Sequence, residues 1–135
     1  MRTGVILYSR FIGGTGEQLL KIIEDITPNE NTEIYSTIDT LCKRLSRSSY
    51  NIAIAVLQIS SKEELRDLLS IRHLFDNIKI ILILPDRKNE TVVLGHKLRP
   101  RFLSCTDGDF KDIAAVLKKM LTVFDFNSKK LREVN

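Results

Sequence analysis

The chain has 135 residues, 43% hydrophobic and 28% charged, with 21 basic against 17 acidic residues and a formal net charge of +4. That is the composition of one globular domain with a single core, and it excludes a disordered segment or a two-domain chain. No apolar run approaches the ~20 residues of a bilayer span. The opening MRTGVILYSRF lacks the long apolar region and small-residue cleavage site of a signal peptide. The basic excess is also too thin and too poor in aromatics for a nucleic-acid footprint. The expectation is a cytoplasmic protein with neither membrane nor nucleic acid as a partner.

In chain order, Gly4 to Ser9 (GVILYS) reads as a first strand. RFIGGTG leads into a first helix, with Thr15 as its cap and Gln18 three residues on completing a capping box. Leu19, Ile22, Ile23 and Ile26 fall on one face at helical spacing. Pro28 ends the helix and Asn29-Glu30-Asn31 makes the turn. Thr32 to Ser36 (TEIYS) is a weaker second strand. Thr37 or its neighbour caps a second helix whose apolar face is Ile38, Leu41, Cys42 and Leu45, closing over Ser46 to Ser49.

Tyr50 to Ser60 (YNIAIAVLQIS) is the stretch the rest is organised around. Its apolar run has no polar alternation, which is the pattern of a strand buried on both faces. Ser60 with Glu63, or equally Ser61 with Glu64, caps a third helix with Leu65, Leu68, Leu69 and Phe75 as its stripe, broken at Asp76-Asn77. Lys79 to Leu84 (KIILIL) is a second fully buried strand. Asn89 caps a short helix over Glu90 to Leu98, weakened by Gly95 and ended by Pro100. Arg101 to Ser104 is the fifth strand. Asp107-Gly108-Asp109 leads to a last helix with Phe110, Ile113, Ala114, Leu117, Leu121 and Phe124 on its buried face. Residues 1–126 form the domain and 127–135 a polar, charged tail.

Five β-α units imply a parallel sheet with right-handed crossovers. The expected fold class is α/β, a three-layer α-β-α sandwich with flavodoxin-like strand order 2-1-3-4-5. The weak TEIYS strand suits an edge.

Element order, spacing and the texture of NIAIAVLQ, KIILIL and RFLSCTDGDFKDIAAVL resemble a response-regulator receiver domain over nearly the whole chain. The resemblance implies a Mg²⁺ site built from an acidic pair after the first strand and an aspartate ending the third. That aspartate accepts the phosphoryl group. A Ser or Thr ends the fourth strand and a Lys the fifth. Aligned by element ends, the acidic pair falls on Tyr8-Ser9 or Ser9-Arg10, and the acceptor on Leu57 or Gln58. The hydroxyl falls on Leu84-Pro85 and the lysine on Cys105. None of the parts is present, and Asp86 comes two residues late.

What this implies is a pseudo-receiver: no enzyme, no cofactor, no Mg²⁺, and action through a protein partner or a homodimer. The family's usual contact surface, around the fourth helix, fifth strand and fifth helix, here carries His96, Lys97, Arg99 and Arg101, with Lys118 and Lys119 beyond.

The alternative rests on Gly13, Gly14, Thr15 and Gly16, which follow a strand and open a helix. Glycines there let backbone amides approach a phosphate, as in a nucleotide or flavin. The loop lacks both the Lys-Ser/Thr of a Walker loop and the dinucleotide spacing, and it also echoes the Thr-Gly phosphate loop of flavodoxins. A turn with a capped helix explains the same residues. Among the rest, His73 reads as surface or satisfied core and His96 has no second ligand nearby. Asp107 and Asp109 suit a helix start. Cys42 and Cys105 lie far apart, without metal spacing, and read as free thiols. A thiol enzyme would need Cys105, at its strand end, to be reactive.

Overall fold

The computed structural model describes residues 4–10, 13–27, 32–47, 51–106 and 110–134, and side chains as far as residue 122. The strands are β1 (Gly4–Tyr8), β2 (Thr32–Tyr35), β3 (Ile52–Gln58), β4 (Lys79–Leu84) and β5 (Phe102–Cys105). The helices are α1 (Thr15–Ile26), α2 (Ile38–Arg47), α3 (Lys62–Ser70), α4 (Asn89–His96) and α5 (Lys111–Val134), with a short 3-10 helix at Arg72–Phe75. All strand pairs are parallel, in the order β2-β1-β3-β4-β5. This is the flavodoxin-like order, with TEIY at one edge.

Both faces are covered. One core joins α2, α3, α4 and the 3-10 helix to the sheet through Leu41, Leu45, Leu65, Leu68, Phe75 and Leu98. The other joins α1 and α5 through Leu19, Ile23, Ile113 and Leu117. Every residue of β3 is buried. Its pairing with β1 steps from Gly4–Ile52 to Val5–Ile54. The extra residue is a bulge, and it puts Ala53 and Ile54 in the same core before alternation resumes at Ala55. Gly4 is required at this step. A Cβ there would lie 2.7 Å from the Asn51 carbonyl oxygen, which accepts the Gly4 N–H at 3.0 Å.

Several local expectations change. Gly14, not Thr15, is the N-cap of α1, and Thr15 is its first helical residue. The Thr15 hydroxyl is engaged from β3 instead, by the Gln58 side-chain N–H. Ser61 with Glu64, not Ser60 with Glu63, starts α3, the Glu64 N–H reaching Ser61 Oγ at 3.2 Å. The third helix also breaks early, at Ile71, and Phe75 belongs to the 3-10 helix. Lys88 rather than Asn89 is the cap of α4, and it makes no side-chain cap bond. The Asp86 carboxylate accepts the Lys88 N–H, fixing that turn from outside. Thr37 does cap α2, through the Thr40 N–H. α5 runs on to Val134, through residues that read as a polar tail. Lys129, Lys130, Leu131 and Arg132 are all good helix formers. The Asn29–Asn31 turn, the Ser48-Ser49 helix end, Tyr50 and the Asp107–Asp109 lead-in lie outside the described residues.

Gly95 was expected only to weaken α4. It is buried, and a Cβ there would come within 3.2 Å of Leu82, Leu84 and Leu103 side chains. The missing side chain lets α4 settle onto β4 and β5. Gly95→Val would overpack this contact and should cost about 1–3 kcal/mol in urea unfolding. Gly13, with nothing within 4 Å of its Cβ position, is the internal contrast: Gly13→Ala should stay within ~0.5 kcal/mol of the parent.

Candidate functional site at the strand ends

An open parallel sheet presents its chemistry outside the C-terminal ends of its strands. Here that edge is made by Tyr8, Ser9 and Arg10 after β1, Leu57 and Gln58 closing β3, Pro85 and Asp86 after β4, and Cys105 and Thr106 at β5. Tyr8 pairs with Leu57 across the β1–β3 ladder, which sets Ser9 beside Gln58. Both are fully buried. Ser9 Oγ donates to Gln58 Oε1, and Gln58 Nε2 donates to Thr15 Oγ1 at 2.8 Å. The position where the resemblance places a phosphoacceptor thus holds an amide wedged between two hydroxyls. Leu57, the other candidate, points into the core of α2, α3 and α4.

A second network surrounds Glu64, 2% exposed on α3. Its Oε2 accepts from Tyr8 OH at 2.9 Å and pairs with the Arg10 guanidinium. Its Oε1 accepts from the Ser60 N–H at 2.8 Å. A buried carboxylate is tolerated only when its lone pairs are satisfied and its charge is matched; here Arg10 supplies the charge from a half-exposed position. Burial is the main cause that pushes the Tyr8 phenol up to about 12; Arg10 opposes it and Glu64 adds to it. The spacing that makes Glu64 a capping residue is visible in the sequence. Its burial against Tyr8, 56 residues away, is not.

The glycine loop forms a shallow hollow of ≈ 470 Å³ lined by Gly13, Gly14, Thr15 and Thr106. Gly13 and Gly14 are exposed, whereas Gly16 is buried inside α1. The structure therefore sets the first three side by side and turns Gly16 toward the core. Thr106 joins them from β5, held by its N–H and hydroxyl on the Leu84 carbonyl. Asp86 accepts from Thr91, which with the Lys88 N–H holds its carboxyl below the usual range. Among the described residues no three His, Cys, Asp or Glu side chains cluster as metal ligands would. Cys105 is buried and Cys42 half-buried, both as free thiols. His96, Lys97, Arg99 and Arg101 are all exposed, at the other end of the molecule around the α4–β5 connection, as are Lys118 and Lys119 on α5. No helix among the described residues is long and apolar enough to cross a membrane.

No protein-family model matches the sequence, and no curated protein matches it. Solved structures do. A pilus assembly-related protein from Burkholderia pseudomallei superposes with a TM-score of 0.65 at 12% identity, covering 90% of both chains. A response regulator from Thermotoga maritima gives 0.62 at 10% identity, covering 90% of this chain and 99% of that one. The chain has the flavodoxin-like fold of a response regulator. A pilus assembly protein from Burkholderia thailandensis shares it too, at 12% identity and a TM-score of 0.62, covering 88% and 98% of the two chains. At these identities the likeness is one of fold.

The Tyr8–Glu64 contact makes a prediction. Tyr8→Phe leaves the buried carboxylate one donor short and should cost about 1–2 kcal/mol. Because the folded-state pKa of Tyr8 is raised, its contribution is full below the ordinary tyrosine value near 10 and is lost as pH rises toward 12. Urea unfolding at pH 8, 10 and 11.5 should show a smaller alkaline loss in Tyr8→Phe than in the parent.

Proposed function

We propose that this chain is a receiver-like signalling module that acts by protein contact and is not switched by an aspartyl phosphate. One observation carries the reading: where β3 ends, the acceptor position offers Leu57 in the core and Gln58 hydrogen-bonded to Ser9 and Thr15. Neither side chain forms an acyl phosphate. Among the described residues the one buried carboxylate near that edge, Glu64, is already shared by Tyr8, Arg10 and the Ser60 N–H. The fold likeness to a response regulator and to proteins named for pilus assembly supports a role in signalling or assembly. The contact surface is assigned to the exposed His96, Lys97, Arg99 and Arg101, toward a protein partner or a second copy of the chain.

A second reading has the exposed Gly13 and Gly14 and their hollow in its favour: a phosphate-bearing ligand seated at the start of α1. Saturable stabilisation by a nucleotide or flavin, abolished by Gly14→Val, is its mark.

Beryllofluoride with Mg²⁺ mimics a phosphorylated aspartate. It should leave the melting temperature unchanged, and acetyl phosphate should add no mass to the protein. A stabilisation of several degrees, or a phosphorylated species in intact-mass spectra, would overturn the leading reading.

A further inference from the structure

At the opposite end of the sheet from the strand ends described above, a half-enclosed cleft of ≈ 390 Å³ opens between the 3-10 helix and the α4–β5 connection. That volume lies within the ~300–1,000 Å³ of small-molecule sites. Its walls are of two kinds. Phe75, Ile78 and Leu98 are buried apolar residues that line its inner side. Arg72, His73, Lys97 and Arg99 line it as well, and all four are exposed. Asp76 is the single acid among the lining residues. Arg72, Lys97 and Arg99 make no ion pair among the described residues. Three cations therefore face this cleft against one carboxylate, without the partners that Arg10, Arg44 and Lys62 have elsewhere.

A simpler explanation covers part of this. α4 ends here, and basic side chains suit the partial negative charge of a helix C-terminus. Lys97, the C-cap of α4, is explained that way. Arg99 is not. It sits two residues further on with φ 55°, in the left-handed region where glycine or asparagine is the usual choice. Glycine would hold this turn without strain. An arginine there goes against the preference of its own backbone, and Arg99 is one of the residues that line the cleft.

We propose that this cleft binds a small organic anion, with an apolar or aromatic body against Phe75, Ile78 and Leu98 and its charged group held by Arg72, Lys97 and Arg99. The inference does not rest on the strand-end chemistry, but it shares Lys97 and Arg99 with the contact surface proposed above, so a partner seated there would compete with the anion.

The probe is 8-anilinonaphthalene-1-sulfonate, an aromatic body with one fixed negative charge, titrated by fluorescence into the folded protein at pH 7. Saturable one-to-one binding is expected, weakening several-fold between 50 and 300 mM NaCl as the charges are screened. Arg99→Gly should reduce affinity about tenfold, the scale of one charge-assisted contact, while melting no lower than the parent because glycine suits the backbone. Lys97→Gln, an exposed change, should weaken binding while lowering the melt by no more than the small loss of a charge at a helix C-terminus. Gly14→Val, at the other end of the molecule, should leave binding unchanged. Failure to saturate, unchanged affinity in both Arg99→Gly and Lys97→Gln, or loss in Gly14→Val would each overturn the proposal.

Discussion

The two-sided burial of β3 is the constraint on which the rest of the structure depends. Its seven residues have no solvent face, so each side chain must be taken up by one core or the other. β1 and β4 both pair to it, and the outer strands pair only to those two. The bulge at Ala53 and Ile54 adjusts the alternation so that Val56 continues one core and Leu57 the other. A one-residue slip would exchange the two sets. The same register decides what the strand end presents, because pairing Tyr8 with Leu57 brings Ser9 against Gln58.

Polar groups buried at that edge follow from this placement. Once β1 ends in a buried phenol and α3 begins with a buried carboxylate, neither can be left without a partner. Tyr8, Arg10, Ser60 and Glu64 satisfy one another, and Ser9, Gln58 and Thr15 form a second chain. These contacts tie α1 and α3 to the sheet with hydrogen bonds. At the far end Arg72, Lys97 and Arg99 are exposed and make no ion pair among the described residues.

Fold class was legible because its signals are local and repeated: two unbroken apolar runs, helical stripes between them and turn residues at each change. TEIYS read as an edge for the same reason, and it is one. The helix starts were less legible. Thr15 has the residue type of a cap, yet its hydroxyl is taken by Gln58 from a strand 43 residues away. Gly95 looked like a weakness because propensity concerns the helix alone, whereas its role is set by three leucines on neighbouring strands. Glu64 was visible as a capping residue and invisible as a buried charge. The cleft between Phe75 and Arg99 depends on two turns far apart in sequence, so no single stretch announces it.

The edge strands β2 and β5 have four residues each, against seven in β3 and six in β4. β2 is further anchored to α2, where Arg44 meets Glu33 through two nitrogens and Tyr35 donates to the same carboxylate. A strand from another molecule would find only a short ladder to join at either border, and such brevity is a recognised safeguard against edge-to-edge pairing. Growth of the sheet from copy to copy is thereby discouraged.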